Sequence, residues 1–214
     1  MLNWGISFKL AFPVEKMRFY ALWLCAVCVV VFLVQLFVSG FTDALLLDSS
    51  SFVQPWRFIT SIFLHGDIAH LLYNLFALGL FGSMLERLLG GKRFLFIFFA
   101  TGVGANLLSV FFYDASLGAS GAIFGVIGAL IVIRPGLPVF VFGLPMPIFI
   151  AGIVWAVGDI IGIFVPSGVA NLAHLGGMAL GLLMGVFYRK PKEEQTKLKI
   201  DEGLMNSWED NYMK

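Results

Sequence analysis

The chain has 214 residues, of which 59% are hydrophobic and 13% are charged, and its mean hydropathy is +0.93. Polar side chains are too few to cover a soluble protein of this size, so the composition predicts an integral membrane protein. The net charge of +1 carries no nucleic-acid signature, and the topology of a membrane protein explains where the basic residues lie. We therefore expect the lipid bilayer, and no nucleic acid, as a partner.

Six apolar segments follow one another along the chain, and each is close to the roughly 20 residues that span a bilayer. They cover residues 18–38, 69–88, 93–113, 119–134, 146–165 and 171–188. The predicted fold class is an all-α membrane protein, a bundle of six transmembrane helices with a long first outer loop. We expect a cytoplasmic or interfacial segment at 1–17, the six-helix domain at 18–188 and a charged cytoplasmic tail at 189–214.

Basic residues predict the orientation of these segments. In a six-span topology, all 14 Lys and Arg residues except Arg57 lie on one side of the bilayer. Because basic loops stay in the cytoplasm, both termini are expected there. The predicted location is the cell membrane, with several passes through it.

Ser120 lies between two glycines, in Gly118-Ala119-Ser120-Gly121 at the start of the fourth segment. A helix that begins at Ser120 reaches Arg134-Pro135 after about 22 Å, which is short of a hydrocarbon core of about 30 Å. Ser120 should then lie below the outer surface of the bilayer. The free backbone N–H groups at such a helix start can bind a negatively charged oxygen.

Two stripes of glycine predict that the fourth and sixth segments pack closely. The stripes are Gly121, Gly125 and Gly128 in the fourth segment, and Gly177, Gly181 and Gly185 in the sixth. His174 lies at about the same azimuth as the second stripe, so close packing should bring its imidazole to Ser120. A serine becomes a usable nucleophile when a base can take its proton, so the pair predicts covalent catalysis.

Polar residues also begin the second segment, at His65, His70 and Asn74. His70 and Asn74 are four residues apart and share one helix face, where they could hold an oxyanion beside the Ser120 N–H. A metal site is the competing interpretation, but the chain has neither an H-E-x-x-H motif nor a set of acids to complete the coordination. We expect no metal and no cofactor.

Taken together, these motifs resemble the rhomboid family of intramembrane serine proteases. The resemblance covers roughly residues 18–188 and rests on Trp56-Arg57, His65, His70-x-x-x-Asn74, Glu86-Arg87, Gly118-Ala119-Ser120-Gly121 and Asn171-x-x-His174-x-x-Gly177-x-x-x-Gly181. It implies a Ser–His dyad without a third acid, in which Ser120 is the nucleophile and His174 is the general base and then the general acid. It also implies an oxyanion hole of the Ser120 N–H with His70 and Asn74. The implied substrates are single-pass membrane proteins, cut near their outer ends.

Structural roles are expected for four further residues of these motifs. The resemblance places Arg57, beside Trp56, in a network within the first outer loop. Glu86 and Arg87 are expected to tie helix ends to a neighbouring loop. Phe124 stands where many relatives carry a tyrosine that stacks on the catalytic histidine, and a phenylalanine can stack there but cannot donate a hydrogen bond.

An aspartyl intramembrane protease is the first rival interpretation, because Tyr113-Asp114 and Gly158-Asp159 are similar to the paired motifs of presenilin-like proteins. The match is incomplete, since position 156 is Ala where the G-x-G-D motif has its first glycine. Asp114 is expected to be solvated. Asp159 is expected near the outer end of the fifth segment, facing a polar cavity or accepting a hydrogen bond, and a part in the substrate gate is the open alternative.

The second rival is a catalytically inactive protein of the same fold that binds membrane proteins for quality control. Trp56, Arg57 and the glycine stripes would serve either function. A binding protein needs neither a nucleophile nor a base, so the presence of both Ser120 and His174 favours the enzyme.

Overall fold

The computed structural model describes residues 18–141, 143–165 and 168–189. Its α-helices in chain order are α1 (Tyr20–Phe37), α2 (Phe41–Leu45), α3 (Arg57–Thr60), α4 (Ile68–Ala77), α5 (Ser83–Leu89), α6 (Gly91–Ser109), α7 (Ser120–Ile133), α8 (Ile148–Ile163) and α9 (Asn171–Tyr188). A π-helical turn at Leu78–Gly82 joins α4 and α5 into one helical span. The expected N-terminal segment at 1–17 and the charged tail from residue 190 lie outside the described residues.

Two small antiparallel sheets, which the sequence did not predict, accompany the helices. One pairs β1 (Leu47–Asp48) with β2 (Ala115–Ser116), and the other pairs β3 (Pro138–Val141) with β4 (Leu144–Pro147). The first sheet joins the loop after α1 to the loop before α7. The residues that lead to Ser120 are thereby attached to the segment between α1 and α4.

The predicted all-α membrane class is confirmed. Among the described residues, three helical spans have the length and hydropathy needed to cross a bilayer, namely Tyr20–Phe37, Ile68–Leu89 and Asn171–Tyr188. α7 and α8 are apolar but shorter. The protein is thus a multi-pass membrane protein, while the number of six crossings remains a prediction.

α7 forms the centre of the bundle, in contact with α6, α8 and α9. Val126 and Leu130 of α7 and Phe94 and Phe98 of α6 are completely buried. α1 is different, since large apolar side chains such as Trp23 lie exposed on its surface. In a bilayer such apolar surface is covered by lipid tails, so this exposure suits a helix at the edge of the bundle.

Glycines allow α7 and α9 to pack backbone against backbone. A Cβ atom added at Gly177 would overlap the carbonyl oxygen of Gly121, and one added at Gly181 would overlap that of Gly125. The predicted close packing of the two stripes is therefore present. A Cβ atom added at Gly121 or Gly125 would also collide with side chains of α6. One row of small residues on α7 therefore allows both α6 and α9 to approach closely.

Arg57 is buried at the centre of a network in the segment between α1 and α4. Its guanidinium donates to the Leu46 carbonyl and the Asp48 carboxylate, both at 3.0 Å, and to the Gln54 side chain at 2.8 Å. The neighbouring Trp56 is exposed and precedes α3. The loop that carries β1 is thus held in shape by one arginine.

Glu86 closes the opposite end of the bundle. Its buried carboxylate accepts hydrogen bonds from the backbone N–H groups of Arg18, Tyr20 and Ala21, at 3.0–3.1 Å. The first N–H groups of a helix have no partner within the helix, so this carboxylate caps α1 and ties it to α5. Arg87, by contrast, is exposed.

Candidate active site

Ser120 is the first residue of α7 and follows a turn of unusual backbone geometry. Gly118 has φ +123°, a region that side chains disfavour, and its N–H donates to the Ser61 carbonyl at 2.9 Å. Because α7 begins at Ser120, the N–H groups of its first turn have no acceptor within the helix. The serine hydroxyl therefore lies beside donors that can bind a negatively charged oxygen.

His174 lies in the first turn of α9, opposite the start of α7. Its Nε2 is 2.8 Å from the Ser120 Oγ, a hydrogen-bond distance. Both side chains are partly buried, and the contact of Gly177 with the Gly121 carbonyl lies one helical turn deeper. The backbone packing of the two helices thus sets the distance between a hydroxyl and a base that can accept its proton.

Phe124 stacks on the His174 imidazole, as the sequence predicts. The two ring centroids are 4.5 Å apart and the rings are 8° from parallel. Phe124 lies one turn after Ser120 on α7, so the same helix carries the hydroxyl and the stacking ring. Stacking fixes the plane of the imidazole, but it leaves rotation within that plane to the hydrogen bonds of the two nitrogens.

Asp159 of α8 occupies the other side of the imidazole. Its Oδ1 lies 3.0 Å from Nδ1 of His174, and the residue is 7% exposed. The sequence left open whether Asp159 faces a polar cavity, accepts a hydrogen bond or takes part in the substrate gate, and the structure places its carboxylate against His174. The resemblance implied a dyad without a third acid, so this contact departs from that expectation.

His70 lies against the turn before Ser120. A Cβ atom added at Gly118 would come within 2.8 Å of Nε2 of His70, so the ring packs directly on this glycine. The Gly66 N–H donates to Nδ1 of His70 at 3.4 Å. Since Nδ1 accepts, Nε2 carries the hydrogen and is a donor beside the Ser120 turn.

Asn74 is buried one turn below His70 on the same face of α4. Its Nδ2 donates to the His70 carbonyl at 2.9 Å, which uses one of its two hydrogens. His65, which the sequence grouped with this pair, lies behind it, with the two imidazole centroids 5.1 Å apart. His65 is 1% exposed, so it supports His70 from the interior.

The Rhomboid domain family model matches residues 53–191, which include every residue of the cluster around Ser120 described above. The chain belongs to the rhomboid family. Rhomboid protease GluP of Bacillus subtilis is 36% identical over 140 residues, which are 64% of this chain and 27% of that protein.

The chain is also similar to two further rhomboid proteins. RHOMBOID-like protein 4 of Arabidopsis thaliana is 34% identical over 137 residues, which are 62% of this chain and 34% of that protein. Rhomboid protease GlpG of Yersinia pseudotuberculosis is 28% identical over 141 residues, which are 64% of this chain and 49% of that protein. The chain thus aligns with about a quarter to a half of the length of these rhomboid proteins.

Tyr113 was not predicted to serve the site of this rhomboid. Its hydroxyl accepts a hydrogen bond from the Leu172 N–H at 3.0 Å, which ties the loop before α7 to the first turn of α9. The sequence drew attention to Tyr113 only as the neighbour of Asp114 in a possible aspartyl motif. Asp114 itself is exposed, whereas Asp159 is buried against His174.

The other residues of the rhomboid motifs lie away from this cluster. Trp56 and Arg57 belong to the segment between α1 and α4, and Glu86 lies about 24 Å along the helix from His70. The Arg57 side chain bonds within the network of that segment. The Glu86 side chain caps α1. The side chains of Trp56 and Arg87, by contrast, are exposed.

Proposed function

We propose that this rhomboid chain is a serine endopeptidase that cleaves membrane-spanning segments of single-pass membrane proteins. The observation that carries the proposal is the 2.8 Å contact between the Ser120 Oγ and Nε2 of His174, on two apolar helices of a membrane bundle. Polar groups are costly at such depth, which favours a chemical use of the pair. A protein that only binds membrane proteins does not need this contact.

The proposed reaction begins with attack of the Ser120 Oγ on a peptide carbonyl carbon, while the hydroxyl proton moves to Nε2 of His174. The C–N bond breaks as His174 gives that proton to the leaving nitrogen, which leaves an ester on Ser120. Water then attacks the ester, with His174 first accepting and then returning a proton, and the serine is restored.

The negative charge that develops on the carbonyl oxygen needs donors that are already in place. The Ser120 N–H, Nε2–H of His70 and the second hydrogen of the Asn74 amide are the proposed oxyanion hole. The contact of His70 with Gly118 supports its part in this set. Asn74 gives one hydrogen to the His70 carbonyl, so both side chains would act from a fixed geometry.

The proposed orientation follows from the basic residues, with both termini in the cytoplasm of the cell and Ser120 near the outer side of the membrane. Substrates would then be cut near their outer ends. Reporter fusions after residue 189 test this orientation, since a cytoplasmic reporter should be active there and an extracytoplasmic one silent.

The test of the activity uses the purified protein in liposomes with a single-pass test substrate. We expect cleavage by the unmodified chain and none by Ser120→Ala or His174→Ala, because removing either partner abolishes the same step. A fluorophosphonate should label Ser120, as located by mass spectrometry. Ser116→Ala, a nearby serine whose hydroxyl bonds to Ser109, is the matched control and should cleave normally.

Two results would contradict the proposal. Proteolysis by purified Ser120→Ala at the rate of the unmodified chain would exclude Ser120 as the nucleophile. A folded chain that binds the substrate but neither cleaves it nor takes the label would favour the inactive binding protein.

A further inference from the structure

We infer that Asp159 is a positioning residue for His174, so that the site has a third acid. This inference rests on the proposed function. Asp159 would accept a hydrogen bond from Nδ1–H of His174 and thereby hold Nε2 free of hydrogen, facing the Ser120 hydroxyl. Asp159 would not take up the proton itself.

The two nitrogens of His174 point to two different helices. Nε2 meets Ser120 of α7 at 2.8 Å, and Nδ1 meets the carboxylate of Asp159 of α8 at 3.0 Å. A neutral imidazole carries its hydrogen on one nitrogen only. Since a carboxylate accepts hydrogen bonds, it selects the form with hydrogen on Nδ1, which leaves Nε2 as the acceptor for the Ser120 proton.

Phe124 alone cannot fix the direction in which the two nitrogens of His174 point. Its ring lies parallel to the imidazole, so it fixes the plane of His174 and leaves rotation in that plane open. The bond to Asp159 fixes that rotation. When His174 takes the Ser120 proton, the same carboxylate lies beside the positive charge that forms.

The register of α8 against α9 holds Asp159 in place. Gly162 lies three residues after Asp159 and packs so closely on Asn171 that an added Cβ would come within 2.6 Å of its Oδ1. Asn171 lies three residues before His174, so two successive contacts join one face of α8 to one face of α9. The carboxylate therefore meets the imidazole through packed helices.

A purely structural role explains the burial of Asp159 poorly. Oδ2 of Asp159 is buried and has no hydrogen-bond partner among the described residues. Burying a carboxylate with one oxygen unsatisfied is unfavourable, and an apolar side chain would pack there at lower free-energy cost. Its neighbours Val157, Ile160 and Ile161 are indeed apolar and exposed. An acid at this position is explained by its effect on His174.

The test compares Asp159→Asn with Asp159→Glu in the full chain in liposomes. The amide of Asp159→Asn fits the same space but can donate to Nδ1, which favours the wrong form of His174. We expect kcat to fall about 10²-fold or more with KM within about twofold. Asp159→Glu keeps the acceptor and should retain more activity than Asp159→Asn. Asp114→Asn, an exposed acid, is the control and should match the unmodified chain.

A second measurement needs no turnover. The chain has three histidines, so ¹⁵N spectra of labelled protein contain three imidazoles, and the signal lost in His174→Gln identifies His174. We expect hydrogen on Nδ1 in the unmodified protein and a substantial fraction on Nε2 in Asp159→Asn. Such a move of the hydrogen from Nδ1 to Nε2 would support the role of Asp159 even if the protein had no protease activity. A lack of protease activity would be seen separately, in the cleavage assay of the unmodified chain.

The inference would be overturned if Asp159→Asn kept both kcat and the hydrogen on Nδ1 of His174. It would also be overturned if Asp159→Glu were less active than Asp159→Asn, since a structural role tolerates the isosteric amide better than the longer acid.

Discussion

His174 lies where two unlike helix contacts meet. Toward α7, α9 packs through glycines, backbone against backbone. Toward α8 the contact is sparse. The second half of α8 is described in full up to Ile163, and Asp159 is its only buried residue. The bond to Ser120 is therefore set by the backbones of two helices. The bond to Asp159 depends on two contacts, that of Asp159 itself and that of Gly162 with Asn171, in a helix half that otherwise faces outward.

The largest expected effect comes from separating α7 and α9. Gly181→Val places three carbons where the Gly125 carbonyl already lies, so the helices must move apart and the Ser120–His174 distance must grow. We expect no measurable cleavage and a lower melting temperature. Gly181→Ala, with one added carbon, should lose less of each.

Gly158→Ala is the matched control for this change. The Cβ atom added at this glycine of α8 would meet no atom within 4 Å beyond its own stretch of helix, so activity and melting temperature should be kept or slightly raised. If Gly181→Val turned over and melted like the unmodified chain, the glycine contact would not be what fixes the pair.

Changes on α4 should slow turnover without loosening either contact of α9. His70→Ala and Asn74→Ala each remove one of several proposed oxyanion donors, and we expect kcat to fall by about 10²–10³-fold. Fluorophosphonate labelling together with melting curves separates this from unfolding. Full activity in both single variants and in the double variant would refute the proposed oxyanion hole.

The same substitution in α7 and in α8 should change stability by different amounts. Ile127 of α7 is 3% exposed and Ile160 of α8 is 49% exposed. Ile127→Ala should leave a cavity and lower the free energy of unfolding by about 2–5 kcal/mol. Ile160→Ala should change it by less than about 1 kcal/mol, because lipid or detergent fills the space. Equal losses in thermal melts would mean that α8 is packed as tightly as α7.

Acid should weaken a third region, the turn behind His70. Burial, together with the nearby charge of His70, lowers the pKa of His65 to about 4. The unfolded chain has a histidine pKa near 6.5 and binds the proton first, so the stability that His65 contributes is present above about pH 6.5 and is lost as the pH falls toward about 4. His65→Gln should make melting temperature less dependent on pH in this range. An unchanged pH dependence would show that His65 does not control it.

The smallest expected effect is that of Phe124→Tyr. The larger ring keeps the stacking on His174 and adds only a hydroxyl, so kcat should change by less than about threefold. Phe124→Leu removes the stacking and should be clearly slower. Comparable kinetics for the two variants would show that the ring plane of His174 is fixed by its hydrogen bonds alone.

The sequence was a good guide to helices and to contacts that depend on one pattern. The sixth apolar segment has the bounds of α9, and the glycine stripes predicted its contact with α7. The third segment was predicted to reach residue 113, but α6 ends at Ser109, because the exposed aromatic residues after it are apolar without being helical. Hydropathy alone does not separate such a loop from a helix.

The partner of Asp159 could not be read from the sequence. It depends on the register of α8 against α9, which is set by the packing of Gly162 on Asn171 and has no periodic signal. The pairing of β1 with β2 was missed for a similar reason, since two residues per strand leave no alternation to recognise.

The order of the helices along the chain has a consequence for biosynthesis. Ser120 is made first, Asp159 next and His174 later, and the helices of Ser120 and His174 touch although α8 lies between them in sequence. If Ser120 and His174 act as proposed, the nucleophile enters the membrane before its base, and α9 must insert before the two can meet. Under the proposed mechanism, a nascent chain that has not yet inserted α9 has no base beside Ser120 and should not cleave neighbouring proteins.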